Sequence, residues 1–319
     1  MVFLVFMKWI HRILIILYVA GAAFLFKTIN EEATNFKEAK QAYAKRLNIN
    51  ENVFDPRDYF LSNEYQKQEK LAGKFLAKSE QHRKNMISLA WLLGLSSLLI
   101  LAYSWIMSAL KKMKWETFGG YIIIISAFFL LIGITVPMME IAAYIDGIHL
   151  PVKASLSDIS ETLGNMFPDA KLDTSVDFDG KLYAFYQTKS ILDLIDILFI
   201  SENYLVAIAI LFFSVIFPIL KLLFSTLFIY AKQQRQKDLF VNIISYIGKY
   251  SMADVFVVAT ILAYLAFENM NPGVVVDAKV LIGLHVFTCY CILSILVFFV
   301  VKHLKKKHLR NEIAKPELI

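Results

Sequence analysis

Two charged residues stand inside otherwise apolar sequence, and chemistry is first sought there. Lys221 follows Phe217-Pro218-Ile219-Leu220 within the apolar run Tyr204–Ala231. Asp254 closes Ser251-Met252-Ala253-Asp254, just ahead of Val255-Phe256 and a second apolar run. A lysine at membrane depth is costly unless it snorkels, pairs or meets water, so it is a functional candidate by default. Its bland alternative is snorkelling to the nearer surface. Asp254 has three readings: a helix cap shared with Ser251, an ion pair with Lys221, or a proton carrier.

Three further polar residues, His285, Cys289 and Cys291, lie in the last apolar run. A lone histidine there reads first as a hydrogen-bonded structural group. Cysteines two apart on a helix point to different faces, so they form no metal site alone. With only two cysteines in the chain, no disulfide framework and no Cys-rich zinc site is expected. The chain contains no G-x-x-x-x-G-K-[ST], no G-x-S-x-G and no H-E-x-x-H, the signatures of a P-loop, a nucleophile elbow and a zinc protease. The expectation is therefore a protein that is not an enzyme, with no cofactor, no metal and no bound nucleotide.

The elements that position these residues are membrane helices. Hydrophobic residues make up 58% of the 319-residue chain and charged residues 19%, against nearly half and a quarter in soluble domains. Six runs are candidates to span a bilayer: 9–26, 86–110, 118–139, 204–231, 252–267 and 280–301. The net charge of +6 is then a topology signal rather than a nucleic-acid one. Lys8 and Arg12, Lys111, Lys112 and Lys114, Lys232, Arg235, Lys237 and Lys249, and Lys302 to Arg310 all fall on one side of a six-span chain. The opposite loop, 140–203, is rich in aspartate. By the positive-inside rule both termini are cytoplasmic.

Between the first two spans, Ile29, Ala33, Phe36, Tyr43 and Leu47 recur at helical spacing. Asp55-Pro56 reads as a helix start after a break at Asn48–Asn52. The spacing predicts two antiparallel helices that extend the spans outward as a solvated spacer or a docking arm. Pro137 near the end of the third span is tolerable there, and Glu140 just beyond is expected to face water or headgroups. Asp179-Gly180 separates two strand-like stretches and predicts a hairpin tip. Ser190-x-x-Asp193 predicts a capping box that opens an amphipathic helix, with Asp193 and Asp196 facing out. Pro218 should bend the fourth span. A short basic turn is expected between the fourth and fifth spans.

The fold class that follows is an all-α polytopic membrane protein. It has six transmembrane helices, a small β-rich extracytoplasmic lobe between helices 3 and 4, and an extended helical hairpin between helices 1 and 2. Its expected parts are an N-terminal two-helix hairpin (1–114), a four-helix unit (115–302) carrying the lobe 140–203, and a basic tail (303–319).

The stretch 190–267 resembles the paraquat-inducible protein A family of bacterial inner-membrane proteins. The resemblance rests on Ser190-Ile-Leu-Asp193, on Phe217-Pro218-Ile-Leu-Lys221, and above all on Gly248-Lys-Tyr-Ser251-Met252-Ala-Asp254-Val-Phe256-Val-Val-Ala259. Tyr250 stands where the family usually has Trp. A weaker likeness extends over about 115–301. Many relatives carry two such units and cytoplasmic cysteine pairs, whereas this chain has one unit and an N-terminal hairpin in place of the other. The resemblance implies a bacterial inner-membrane protein that works with membrane lipids and a mammalian-cell-entry (MCE) domain protein, moving lipid between the two membranes. A structural membrane scaffold or envelope-stress protein without transport activity is the alternative reading. A proton-coupled small-molecule transporter ranks lower, because the spans hold few charges.

Overall fold

The computed structural model describes residues 2–47, 64–110, 113–155, 171–231, 233–250 and 275–313. Five helices among them are long and apolar enough to cross a membrane. The sixth expected span, 252–267, lies outside the described residues.

Helix α1 (Val2–Arg46) and helix α2 (Glu64–Ala109) pack along one another. At 1.5 Å per residue α1 is roughly 68 Å long, more than twice the ~30 Å hydrocarbon core, so about half of it projects beyond a bilayer. The helical stripe read in the sequence is the face it buries: Ile29, Ala33, Phe36 and Leu47 are all within 3% of full burial. Apolar residues also cover the outer faces of the two apolar halves, where Trp9, Leu17, Trp91 and Leu99 are exposed, as expected of side chains meeting lipid. The break near Asn48 and the Asp55-Pro56 start fall outside the described residues.

Helix α3 (Trp115–Thr135) is the most enclosed span and forms the centre of the bundle. Its chief partner is the last helix, α8 (Ile282–Ile313). Small residues set that spacing. A Cβ at Gly133 would lie 2.9 Å from the Phe287 Cα. A Cβ at Gly283 would lie 2.5 Å from the Val136 carbonyl oxygen and 2.6 Å from that of Pro137. Gly283 N–H donates to the Pro137 carbonyl at 3.1 Å, which needs this approach.

Beyond α3 the chain enters a three-stranded antiparallel sheet in the order β2-β1-β3: β1 is Met139–Ser155, β2 is Lys171–Lys189 and β3 is Val275–Val280. The lobe is thus β-rich, but its third strand comes from much later in the sequence and leads straight into α8. The predicted hairpin tip is corrected. Asp179 and Gly180 lie within β2, where Asp146 pairs with Lys181 and Ile148 with Phe178, so two residues oppose Gly147 alone. That is a β-bulge, a feature with the same taste for glycine as a tight turn.

Helix α4 (Ile191–Ile200) follows β2, with Ile191 and Ile195 buried in the core. The fourth span is one continuous rod made of α5 (Tyr204–Ile210), a π-helical turn (Leu211–Ile216) and α6 (Phe217–Tyr230). Pro218 has no N–H to give to the preceding turn. The chain accommodates it with the wider π turn, where Phe217 N–H reaches the Phe212 carbonyl. A π-bulge beside proline is a recognised form of helix irregularity.

The expected short basic turn is also corrected. Residues Gln234–Tyr250 form a 17-residue amphipathic helix, α7. Ile244 and Ile247 are buried against the bundle, Phe240 and Val241 pack beside them, and Asp238 pairs with Lys305 of α8 at 2.9 Å. Its basic residues diverted attention from the 3.6-residue period of these apolar side chains.

Candidate functional site

Two places concentrate chemistry among the described residues. The first is a polar joint where α1 meets the sheet and α4. Ser190 caps α4 in a full capping box: its hydroxyl accepts from Asp193 N–H at 3.2 Å, and Asp193 Oδ2 accepts from Ser190 N–H at 2.8 Å. The Asp193 carboxylate does more than cap, and does not face out as expected. It also pairs with the Lys37 ammonium of α1. Burial works to raise the Asp193 carboxyl, but Lys37 and Ser190 outweigh it and hold its pKa below the usual value. Burial lowers the neighbouring Lys189, partly offset by Asp193.

Glu140 is the second member of this joint. The sequence suggested a residue facing water, yet it is 7% exposed and pairs with Lys40 at 3.4 Å. The outward extension of α1 covers it. Lys40 in turn lies over the rings of Tyr43 and Tyr186, 5.8 and 5.9 Å from their centroids. Tyr183 joins this group, edge-on to Tyr43, and its N–H donates to the Leu47 carbonyl at 2.9 Å. Burial, reinforced by Tyr43 and Glu140, pushes the Tyr183 hydroxyl far up, and burial with Glu140 does the same to Tyr186. Both stay neutral. The joint is a mesh that ties the hairpin to the lobe.

The second place is a cleft of about 680 Å³ between α2 and α8, floored by Phe129 of α3. Arg83, Met86, Ala90 and Gly94 line it from α2, and His285, Thr288 and Cys289 from α8, with Leu281 just ahead of that helix. Each set recurs at three and four residues, so each is one helix face. From Arg83 to Gly94 the cleft wall spans about 17 Å, roughly half a bilayer's hydrocarbon core. Its walls are mostly apolar, and its charged side chain, Arg83, lies at the sheet end. Arg83 Nε donates to Glu80 at 2.9 Å, and that pair steadies the guanidinium at the mouth. His285 Nδ1 is 3.1 Å from the Leu281 carbonyl, the structural hydrogen bond the sequence led one to expect. Volume and lining match the ordinary small-molecule site: concave, apolar, with few polar groups.

Of the residues singled out from the sequence, His285 and Cys289 line this cleft and the others do not. Ser190 and Asp193 belong to the polar joint. Pro218 and Lys221 lie in the fourth span, where Lys221 is 3% exposed and so enclosed by the bundle rather than snorkelling. Ser225 Oγ donates to the Lys221 carbonyl at 2.7 Å. Gly248 lies near the end of α7, with nothing within 4 Å of where a Cβ would be. Ser251, Met252, Asp254 and Phe256 fall outside the described residues, and the Lys221–Asp254 pair with them. The cleft was missed because α2 shows no charge inside its apolar part. The available signal was a row of small and polar residues, Ala90 with Gly94 and His285 with Thr288 and Cys289, each at helical spacing. Among the described residues no group of His, Cys, Asp and Glu is placed to hold a metal ion.

No curated protein and no solved structure matches the chain. A family model does, over residues 180–313. The match takes in the end of β2, α4 to α8, and the Gly248–Ala259 stretch, while α1 and α2 lie outside it. Residues 180–313 thus match the paraquat-inducible protein A family model, and the two-helix membrane hairpin, α3 and β1 precede the match.

Proposed function

We propose that this protein is the integral inner-membrane component of an intermembrane lipid-transport system. It loads or unloads lipid for an MCE-domain protein that spans the periplasm. Both termini are cytoplasmic in this reading, and the sheet and polar joint stand on the periplasmic side. The observation that carries it is the cleft between α2 and α8. It is mostly apolar along its length, charged at the sheet end, and about as long as one leaflet is deep. That is the shape of a lipid: chain inside, headgroup at the edge. A cleft against the membrane face of α2, where Trp91 and Leu95 are exposed, can be entered sideways from the bilayer.

The rigid joint complements this role. It fixes the lobe against the α1–α2 arm, so a partner docked on one is registered on the other. No chemistry on the lipid is needed; transfer without bond making fits a protein that is not an enzyme. The test is gentle purification from its native membrane, with mass spectrometry of what comes along. The reading predicts an MCE-domain protein and membrane lipids in stoichiometric amount. Recovery of the chain alone, with lipid no different from bulk membrane, would contradict it.

A further inference from the structure

The cleft also carries information about the headgroup it accepts, an inference that rests on the lipid reading above. We propose that the cleft selects an anionic amphiphile, with its phosphate on Arg83 and one acyl chain running between α2 and α8.

Three observations converge. Arg83 is the one cationic side chain among the residues that line the cleft, and it sits at its sheet end. Glu80 engages it through Nε and Nη2, which leaves the other edge of the guanidinium for a ligand. Arginine's planar fork suits a phosphate better than a lysine does. No acidic residue lines the cleft itself; the carboxylate that pairs with Arg83, Glu80, is not among its lining residues. Below Arg83 the wall turns apolar at once. On the α2 side Met86, Ala90 and Gly94 line it, and the small Ala90 and Gly94 leave room between α2 and the α8 wall. One chain fits between helices so spaced; a second remains in the surrounding bilayer.

Cys289 gives a direct readout, since it lines the cleft and is solvent-accessible, whereas Cys291 is not among the lining residues. The full-length chain carrying Cys291→Ser is placed in nanodiscs of phosphatidylcholine alone or with added phosphatidylglycerol. The rate of maleimide reaction at Cys289 is then followed. The proposal predicts that phosphatidylglycerol slows labelling and that Arg83→Gln removes most of the difference, about tenfold in apparent affinity for one charged hydrogen-bonding contact. Gly94→Phe should slow labelling whatever the lipid. A Cβ at Gly94 meets nothing within 4 Å, so that side chain has room to fill the cleft without moving the backbone. Inorganic phosphate without anionic lipid should not protect. Equal labelling in both lipids, no effect of Arg83→Gln, or protection by inorganic phosphate alone would each overturn the proposal. Failure here with lipid transfer intact removes only the headgroup choice. Protection with no transfer would keep the site and remove the transport reading.

Discussion

Ser190 and Asp193 show how much one short motif can hold. The capping box was legible because Ser-x-x-Asp ahead of an apolar run is a local pattern. That Lys37 completes it was not, because 156 residues separate the two and no local rule reaches so far. Ser190→Ala should cost about 1 kcal/mol, the usual penalty for a lost N-cap, read as a lower melting temperature. The pH dependence has a definite sign. Asp193 has a folded pKa below its ordinary value of 3.8. Its contribution is therefore present above that ordinary value and is lost as pH falls through the folded one. The melting-temperature gap between wild type and Asp193→Asn should be open at neutral pH and close below about pH 4. A gap that persists in acid would mean that the carboxylate's charge is not what matters. Lys40 and Glu140 form a more buried pair. Removing one partner leaves an uncompensated charge, typically worth about 3 kcal/mol. Lys40→Met should thus destabilise more than Lys40→Met with Glu140→Gln, in a double-mutant cycle on thermal unfolding.

The sequence and the fold agree best where a local rule decides, at the scale of single elements. Apolar runs gave each of the five described spans to within a turn or two at one end or the other, and proline marked the place in the fourth where the structure has a π turn rather than the expected simple bend. Three elements were less legible for physical reasons. Val275–Val280 is a six-residue strand whose valines merge with the apolar run of α8. Asp-Gly serves a bulge as well as a turn, and only pairing with β1 decides between them. In α7 the positive charges that set topology hid an amphipathic period. Close packing of α3 on α8 is an element-scale claim with its own test. Gly283→Ala places a methyl against two carbonyl oxygens, and Gly133→Ala one against a helix backbone. Each should destabilise by about 1–3 kcal/mol, as overpacking does. Gly94→Ala, where the space is open, should be neutral or slightly stabilising, because alanine is the better helix former. Equal effects at all three positions would contradict the packing described.

At the scale of the whole molecule, the stretch that matches the family model, residues 180–313, packs with a hairpin that lies outside the match. The cleft belongs to both: one wall is α2 and the other is α8. That shared lining is why the site was invisible in a sequence read segment by segment. Orientation is a property of the whole chain as well. In a background lacking Cys289 and Cys291, cysteines placed at Lys305 and at Asp177 should label from opposite faces of intact cells and inverted vesicles. Labelling from one face would overturn the arrangement with cytoplasmic termini.

Lipid handover is the central claim, and a reconstituted transfer assay tests it most directly. The full-length chain is placed in liposomes containing a fluorescent phospholipid, and an MCE-domain protein, the proposed partner, is added as acceptor. Lipid appearing on the acceptor is measured over time. The account predicts transfer that requires the chain and falls to the protein-free rate with Gly94→Phe, while Gly94→Ala retains it. Transfer at the same rate with the cleft filled, or with the chain omitted, would contradict it.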